Sequence, residues 1–328
     1  MNRNYPVRRF LLRLITAIQL TRLSMAFGAM ADLLFIVLLS RAMWPHSDLP
    51  VAQMSLPVAL LAAAGVAIGL FAYGAALNDI LDVKHDSAFS PERPLPAGRI
   101  RRGQAVIVAV AALMTAILSA ELFGTISLWI TLFTAGAVLF YNAAGKYIPS
   151  VGIITIGLVH AANMFIPNHE LAFTIPVWLI MTHVVVIAVL VHTLEDKRPR
   201  LNRRAVAAVL AGWVFWSILI IGLGLRSERD LWPDQLHPLS TIYPVLAVMG
   251  FAAIMFWKTR RATNRIAAEK LKRYGAMWQC LYGAAWLYAL NMTGPAIALT
   301  ILAFFGFLGM TLIRELTGLT GRPLTYRG

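Results

Sequence analysis

Charged side chains are scarce in this sequence. They make up 13% of its 328 residues, 59% are hydrophobic, and the mean hydropathy is +0.70. A water-soluble protein of this length needs a more polar surface, so the composition excludes that class and indicates a membrane protein. There is one cysteine, Cys280, so an intrachain disulfide is excluded. Glycine-rich nucleotide loops of the Gly-x-Gly-x-x-Gly or Walker type are missing, which leaves nucleotide binding without support.

Acidic residues are also few, with 15 Asp and Glu against 29 Lys and Arg. If the N-terminus is cytoplasmic, 26 of the 29 basic residues fall on the cytoplasmic side, and only Arg41, Arg226 and Arg229 remain for the other side or its border. This asymmetry predicts an N-terminus inside the cell and an even number of helices. Topology therefore accounts for the basicity, with attraction to anionic lipid as a secondary effect, and we expect no nucleic-acid partner.

Long apolar runs are abundant in the chain. A bilayer core of about 30 Å needs roughly 20 helical residues, and this length predicts ten spans. The predicted spans are Ser24–Trp44, Leu56–Leu77, Ala105–Leu122, Ile126–Tyr141, Ile148–Ile166, Phe173–Val191, Ala205–Leu225, Ile242–Trp257, Tyr274–Leu290 and Ala296–Ile313. We expect one domain over residues 1–328, an all-α multi-pass bundle of nine to ten helices in the inner membrane. Its N-terminal segment, 1–22, and its tail, 315–328, would be cytoplasmic.

Four oxygen-bearing side chains lie at the predicted cytoplasmic end of the second span: Asn78, Asp79, Asp82 and Asp86. At about 100° per residue they fall within one sector of a helix. Three carboxylates in one place repel each other unless a cation lies among them, and magnesium commonly pairs one or two carboxylates with substrate phosphates. The alternative is a solvated acidic helix end balanced by Lys84 and Arg93.

The segment Asn-Asp-x-x-Asp-x-x-x-Asp from Asn78, followed by Arg-Pro-Leu-Pro-Ala-Gly from Arg93, resembles the first aspartate-rich motif of the UbiA superfamily of intramembrane prenyltransferases. The resemblance extends from about residue 20 to about residue 290. It implies a UbiA-like helical bundle that transfers a prenyl group from its diphosphate to an acceptor, with magnesium as cofactor and the active site facing the cytoplasm. By this likeness Asp79, Asp82 and Asp86 hold magnesium, and Asn78 and Arg93 contact the diphosphate.

Further matches come from other parts of the chain. Tyr141 and Lys146 resemble the residues that flank the diphosphate in this family, although Lys146 is also explained by topology alone. Arg22 and Asp32 resemble the family's pattern in the first helix. An aspartate within a span is a functional candidate in itself, because an unpaired charge among lipids is costly. His160 and Asn163 share a helix face and are candidates for lining an acceptor pocket.

The second aspartate-rich motif departs from the family pattern. After the sixth span the chain has His192, Glu195, Asp196, Lys197 and Arg198, with a single aspartate among them. EboC-like proteins resemble this chain in lacking a complete second motif. Helical spacing places His192 and Asp196 on one face, and we expect Asp196 to point back and share the metal. His192, Glu195, Lys197 and Arg198 would contact the substrate, Lys197 and Arg198 by offsetting diphosphate charge.

The resemblance implies a prenyl diphosphate and a lipophilic or amphiphilic acceptor, aromatic or hydroxyl-bearing, as substrates. Magnesium on the first motif would stabilise the departing diphosphate, while the apolar bundle shields the prenyl cation from water. One alternative is a UbiA-like protein without turnover that binds lipid or assists assembly. A transporter is a second alternative, although transporters place substrate near the bilayer midplane and not at its rim. Oligomeric state, chain length and the proton-accepting base are not encoded in identifiable residues.

Overall fold

The structure is a computed structural model that describes residues 15–226 and 231–319. All regular secondary structure in the described residues is helical. Residues 1–14 of the predicted cytoplasmic segment and 320–328 of the predicted tail lie outside the described residues. Ten long helices follow one another as α1 (Phe27–Met43), α2 (Leu56–Leu81), α3 (Arg102–Glu121), α4 (Thr125–Ala143), α5 (Pro149–Phe165), α6 (Ile175–Leu194), α7 (Arg203–Arg226), α8 (Ile242–Thr259), α9 (Asn264–Ala289) and α10 (Thr293–Leu319).

Each predicted span lies on one of these ten helices, which confirms the all-α multi-pass bundle. Among the described residues, seven of these helices are long and apolar enough to cross a membrane: α2, α3, α4, α6, α7, α8 and α10. Helix α8 reaches this length together with the 3₁₀ turn that precedes it, and α5 is apolar but shorter. The largest boundary difference is in α9, which begins at Asn264 and not at the predicted Tyr274. Hydropathy locates the part of a helix that lies in lipid, whereas the backbone continues through the basic residues that precede it.

Helix α1 lies between the two halves of the core. Its Leu33 and Val37 pack with α2, α3 and α4, while Phe35, Ile36 and Leu39 pack with α5, α6 and α9. Large apolar side chains on the outer helix faces are exposed, as expected where lipid and not water surrounds the bundle. The buried residues of α1 therefore lie in the centre of the molecule.

Helices α2 and α3 approach each other closely at two glycines. A Cβ atom on Gly69 would lie 2.6 Å from the carbonyl oxygen of Ala112 and 2.7 Å from the amide nitrogen of Ala116, and one on Gly65 would overlap the Ser119 hydroxyl. Small residues allow such contact between helices in a membrane. The pair Gly65 and Gly69 thus serves packing within the bundle.

We expect Gly69→Val to lower the free energy of unfolding by roughly 1–3 kcal/mol, because the added side chain would push two helix backbones apart. The measurement is the thermal unfolding midpoint in detergent. Gly136→Val on α4 is the matched control, since a Cβ there has nothing within 4 Å. An equal midpoint in both variants would contradict the packing role.

Alternating helix directions bring five segments to the same end of the bundle. These are the entry into α1 with Arg22, the end of α2 with its aspartates, the α4–α5 turn with Lys146, the segment after α6, and the start of α9. We call this end the basic end, because the Lys and Arg residues that the sequence assigns to the cytoplasmic side concentrate here.

Candidate active site

The end of α2 holds its polar side chains on one side despite a break in the helix. Asp82 ends α2 at φ −89° and ψ 6° and begins the short helix Val83–Phe89. Hydrogen bonds from the Asp82 amide to the Asn78 carbonyl and from the Asp86 amide to the Asp82 carbonyl continue the helical pattern across this break. Asp79 and Asp86 are 2% and 3% exposed. We call Asn78, Asp79, Asp82 and Asp86 the aspartate cluster.

Two arginines bind the buried carboxylates of this cluster. Arg93 Nη1 lies 2.7 Å from Asp86 Oδ2 and 3.5 Å from Asp79 Oδ1, so one guanidinium joins the two aspartates. Arg22 Nη2 donates to Asp79 Oδ1 at 3.0 Å. Arg22 has a positive φ of 48° between the helical residues 15–21 and the 3₁₀ turn Leu23–Met25, a conformation that costs free energy in a non-glycine residue. Its ion pair with Asp79 offsets part of that cost.

Lys146 binds the other half of the cluster. Its Nζ lies 2.6 Å from both carboxylate oxygens of Asp82 and 3.3 Å from Asn78 Oδ1. The Asn78 amide nitrogen is buried and has no hydrogen-bond partner among the described residues. A buried N–H donor without a partner is costly and suits an anionic oxygen of a ligand.

Charge in the cluster is balanced, since Arg22, Arg93 and Lys146 face three aspartates. Burial raises the pKa of Asp86, and the negative charges of Asp79 and Asp82 raise it as well, whereas Arg93 opposes the shift. Tyr141 lies within electrostatic reach of Arg22 and Asp82. The structure therefore brings together eight predicted site residues: the four of the aspartate cluster, Arg22, Arg93, Lys146 and Tyr141.

The chemistry of the oxygen donors fits magnesium, a hard cation that prefers carboxylate oxygens. In the described part of the chain, however, no three acidic, His or Cys side chains are grouped as metal ligands. The contacts give the reason, because basic side chains bind the carboxylates: Arg93 binds Asp79 and Asp86, Arg22 binds Asp79, and Lys146 binds Asp82. Asp79, Asp82 and Asp86 are the residues that would hold the ion, which would supply Lewis-acid chemistry, and the basic side chains beside them would be available to an anionic ligand.

The structure corrects the expected arrangement of the second motif. Helix α6 ends at Leu194, and Asp196 has a positive φ of 45°, so it does not share a helix face with His192. The Asp196 side chain is 60% exposed and binds Arg200 at 2.9 Å and Arg198 at 3.6 Å. The hydrogen bond from Arg200 holds the pKa of Asp196 below its usual value.

His192 is instead bound within its own loop, since its Nε2 lies 2.9 Å from the Pro199 carbonyl. Glu195 faces inward and is held by two lysines. Lys272 Nζ on α9 is 2.7 Å from Glu195 Oε1, and Lys197 Nζ is 3.4 Å from Oε2.

A second polar group lies deeper in the bundle. Asp32 on α1 is 2% exposed, and its Oδ2 is 3.5 Å from His160 Nδ1 on α5 and 3.4 Å from Gln279 Nε2 on α9. Gln279 Nε2 is also 3.0 Å from His160 Nδ1. Asp32 is therefore in contact with a histidine and an amide and does not lie unpaired among apolar side chains. Asn163 is buried, and its Oδ1 has no hydrogen-bond partner in the described structure.

Three residues of these groups were not predicted. They are Lys272, Gln279 and Tyr147. Burial, followed by the Asp82 carboxylate, raises the pKa of the Tyr147 hydroxyl. The one signal available in the sequence was Gln279 itself, an amide in an otherwise apolar part of α9.

The fold and site define a class: a multi-pass membrane bundle with paired carboxylates and bases gathered at one end. Residues 33–281, more than half of the chain, match the sequence model of the UbiA prenyltransferase family. The protein belongs to this family and is a prenyltransferase.

A protein of named activity is also similar in sequence to this chain. Digeranylgeranylglyceryl phosphate synthase from Sulfurisphaera tokodaii is 29% identical over 138 residues, which cover 42% of this chain and 49% of that protein. The match thus spans about half the length of this curated relative.

Solved structures share the fold. One concerns digeranylgeranylglyceryl phosphate synthase in membranes, with a TM-score of 0.54, 17% identity and coverage of 85% of this chain and 99% of the other. Another is the apo structure of a UbiA homologue from Aeropyrum pernix K1, with a TM-score of 0.52, 19% identity and coverage of 83% and 98%.

Proposed function

We propose that this prenyltransferase moves a prenyl group from a prenyl diphosphate to an aromatic or hydroxyl-bearing acceptor in the membrane, in a magnesium-dependent reaction at the basic end. The observation that carries the proposal is the aspartate cluster, in which carboxylates, the basic side chains that bind them and the unpartnered Asn78 amide nitrogen meet within one site. The positive-inside asymmetry supports a cytoplasmic position for this end, in the inner membrane.

Each part of the cluster has a role in this proposal. Asp79, Asp82 and Asp86 would hold magnesium, which supplies Lewis-acid stabilisation of the departing diphosphate. Arg93, Lys146 and Arg22 would donate to the diphosphate oxygens, where negative charge grows as the carbon–oxygen bond breaks. Asn78 would donate its free N–H groups to the same anion, and Tyr141 would border it.

The deeper polar group would contact another part of the substrates. Asp32 lies five residues after Phe27, the first residue of α1, which corresponds to ~8 Å along that helix from its entry. That depth separates it from the diphosphate and places it beside the prenyl chain or the acceptor. His160 and Asn163 would form the polar lining there, since His160 is only partly buried and the Asn163 oxygen is unpartnered.

A UbiA-like protein that binds lipid without turnover is the second candidate, and the exposed, arginine-bound Asp196 favours it. Asp196, the one aspartate of the expected second motif, is bound by Arg200 and is therefore not available to a metal. The relative from Sulfurisphaera tokodaii, named as a synthase, supports turnover instead.

The test is to incubate the purified protein in lipid nanodiscs with geranylgeranyl diphosphate, magnesium and either an isoprenoid glycerol phosphate or an aromatic acid. Release of pyrophosphate and a prenylated product found by mass spectrometry are expected for one acceptor class, and both should be lost with EDTA. Tight binding of the diphosphate with neither product would favour the protein without turnover.

A further inference from the structure

Glu195 does not take part in the aspartate cluster, although it belongs to the segment where the family has its second motif. Both of its oxygens are bound by lysines, Oε1 by Lys272 and Oε2 by Lys197. The Glu195 and Lys272 side chains are 16% and 15% exposed, so this pair is largely shielded from water. Removing one partner of such a buried ion pair is strongly destabilising, because the other charge is left buried and unpaired.

Lys272 lies beside the second-motif segment, where it binds Glu195, at the same end of the bundle as the aspartate cluster. It sits on α9, which packs against both α1 and α6. It precedes the apolar part of α9, predicted to begin at Tyr274. Burial lowers the pKa of the Lys272 amine to about 8, Glu195 opposes this shift, and the positive charges of Lys197 and Arg22 add to it. Arg22 in turn binds Asp79, so Lys272 is within electrostatic reach of the cluster.

The charges of the site favour one metal ion. Asp79, Asp82, Asp86 and Glu195 supply four negative charges. Five positive charges face them, from Arg22, Arg93, Lys146, Lys197 and Lys272. One Mg²⁺ together with a diphosphate of about three negative charges would bring this total close to zero. A second Mg²⁺ would leave about two positive charges without a counterion in a partly buried site, which is costly.

We propose that Lys272, fixed in place by Glu195, binds the diphosphate and replaces the metal-binding function of the second aspartate-rich motif, so that the site uses a single magnesium ion. The proposal rests on the proposed function. Glu195 then orients a lysine and does not coordinate a metal.

The experiment measures binding of inorganic pyrophosphate to the full chain in detergent, without turnover. Lys272→Gln is expected to weaken binding at least about tenfold, since a charge-assisted hydrogen bond is lost. Lys272→Arg should restore most of the affinity. Lys270→Gln is the matched control, because Lys270 lies on the same helix but donates to the Lys258 carbonyl, and it should bind as wild type does. Manganese in place of magnesium, counted by electron paramagnetic resonance, should show one ion per bound pyrophosphate.

Lys272→Gln leaves Glu195 with one partner fewer, so the double variant Glu195→Gln/Lys272→Gln is measured beside it. The double variant has no unpaired glutamate, and it should bind as weakly as the single variant. Wild-type affinity in either variant, or two manganese ions per pyrophosphate, overturns this proposal alone and makes the Glu195–Lys272 pair purely structural. A wild-type protein that does not bind pyrophosphate with any divalent ion overturns the proposed function as well.

Discussion

Asp82→Ala is expected to reduce prenyl transfer by at least about a hundredfold with little loss of folded protein. Asp82 lies at the rim of the bundle, where α2 ends, and its carboxylate faces Lys146 and not the apolar core. Removing it takes away one of the proposed magnesium ligands and frees Lys146 to bind the diphosphate without the metal. Diphosphate binding should therefore become less sensitive to magnesium.

The measurements are initial rates over a magnesium titration and diphosphate affinity with and without EDTA. Asp82→Asn keeps the shape of the side chain and should show the same loss, since charge is what the metal requires. Glu92→Gln, in the loop that follows the cluster, is the control and should leave the rate unchanged. Near-normal turnover of Asp82→Ala would mean that the metal assignment is wrong.

Arg93→Gln is expected to have the largest effect on stability, about 3–5 kcal/mol, because it leaves two buried carboxylates without their shared partner. Asp79 and Asp86 are both nearly inaccessible to water, and Arg93 itself is 7% exposed. Magnesium should then raise the thermal unfolding midpoint of Arg93→Gln more than that of the wild type, because the ion can neutralise the same carboxylates.

Arg101→Gln, an exposed arginine at the start of α3, is the control and should leave the midpoint unchanged. The role given to Arg93 would be contradicted by an Arg93→Gln protein as stable as the control, or by one that gains nothing from magnesium.

The helices could be predicted because lipid imposes a length and a composition on each span. The predicted spans identify all ten long helices, but not the ten residues by which α9 extends before Tyr274. Hydropathy carries no information on helices that continue into water. The 3.6-residue periodicity correctly placed the aspartates on one side, and it held across the break at Asp82 because the backbone hydrogen bonds continue there.

The partners of the charged and polar side chains in the site could not be predicted from the sequence. Arg22 and Asp79 are 57 residues apart, Lys146 and Asp82 are 64 apart, and Gln279 and Asp32 are 247 apart. Only the packing of α1, α2, α5 and α9 brings them together. The expectation for Asp196 failed for a local reason, since it assumed that α6 continues to residue 196, whereas the helix ends at Leu194 and Asp196 turns outward.

The most direct test of the account is an experimental structure of the protein with magnesium and an unreactive prenyl diphosphate analogue. The account predicts an ion on carboxylates of Asp79, Asp82 and Asp86, with the Arg93 and Lys146 side chains moved from these aspartates to the diphosphate and the prenyl chain running into the bundle. A diphosphate bound elsewhere, with the ion pairs of Arg93 and Lys146 to the aspartates intact, would contradict it.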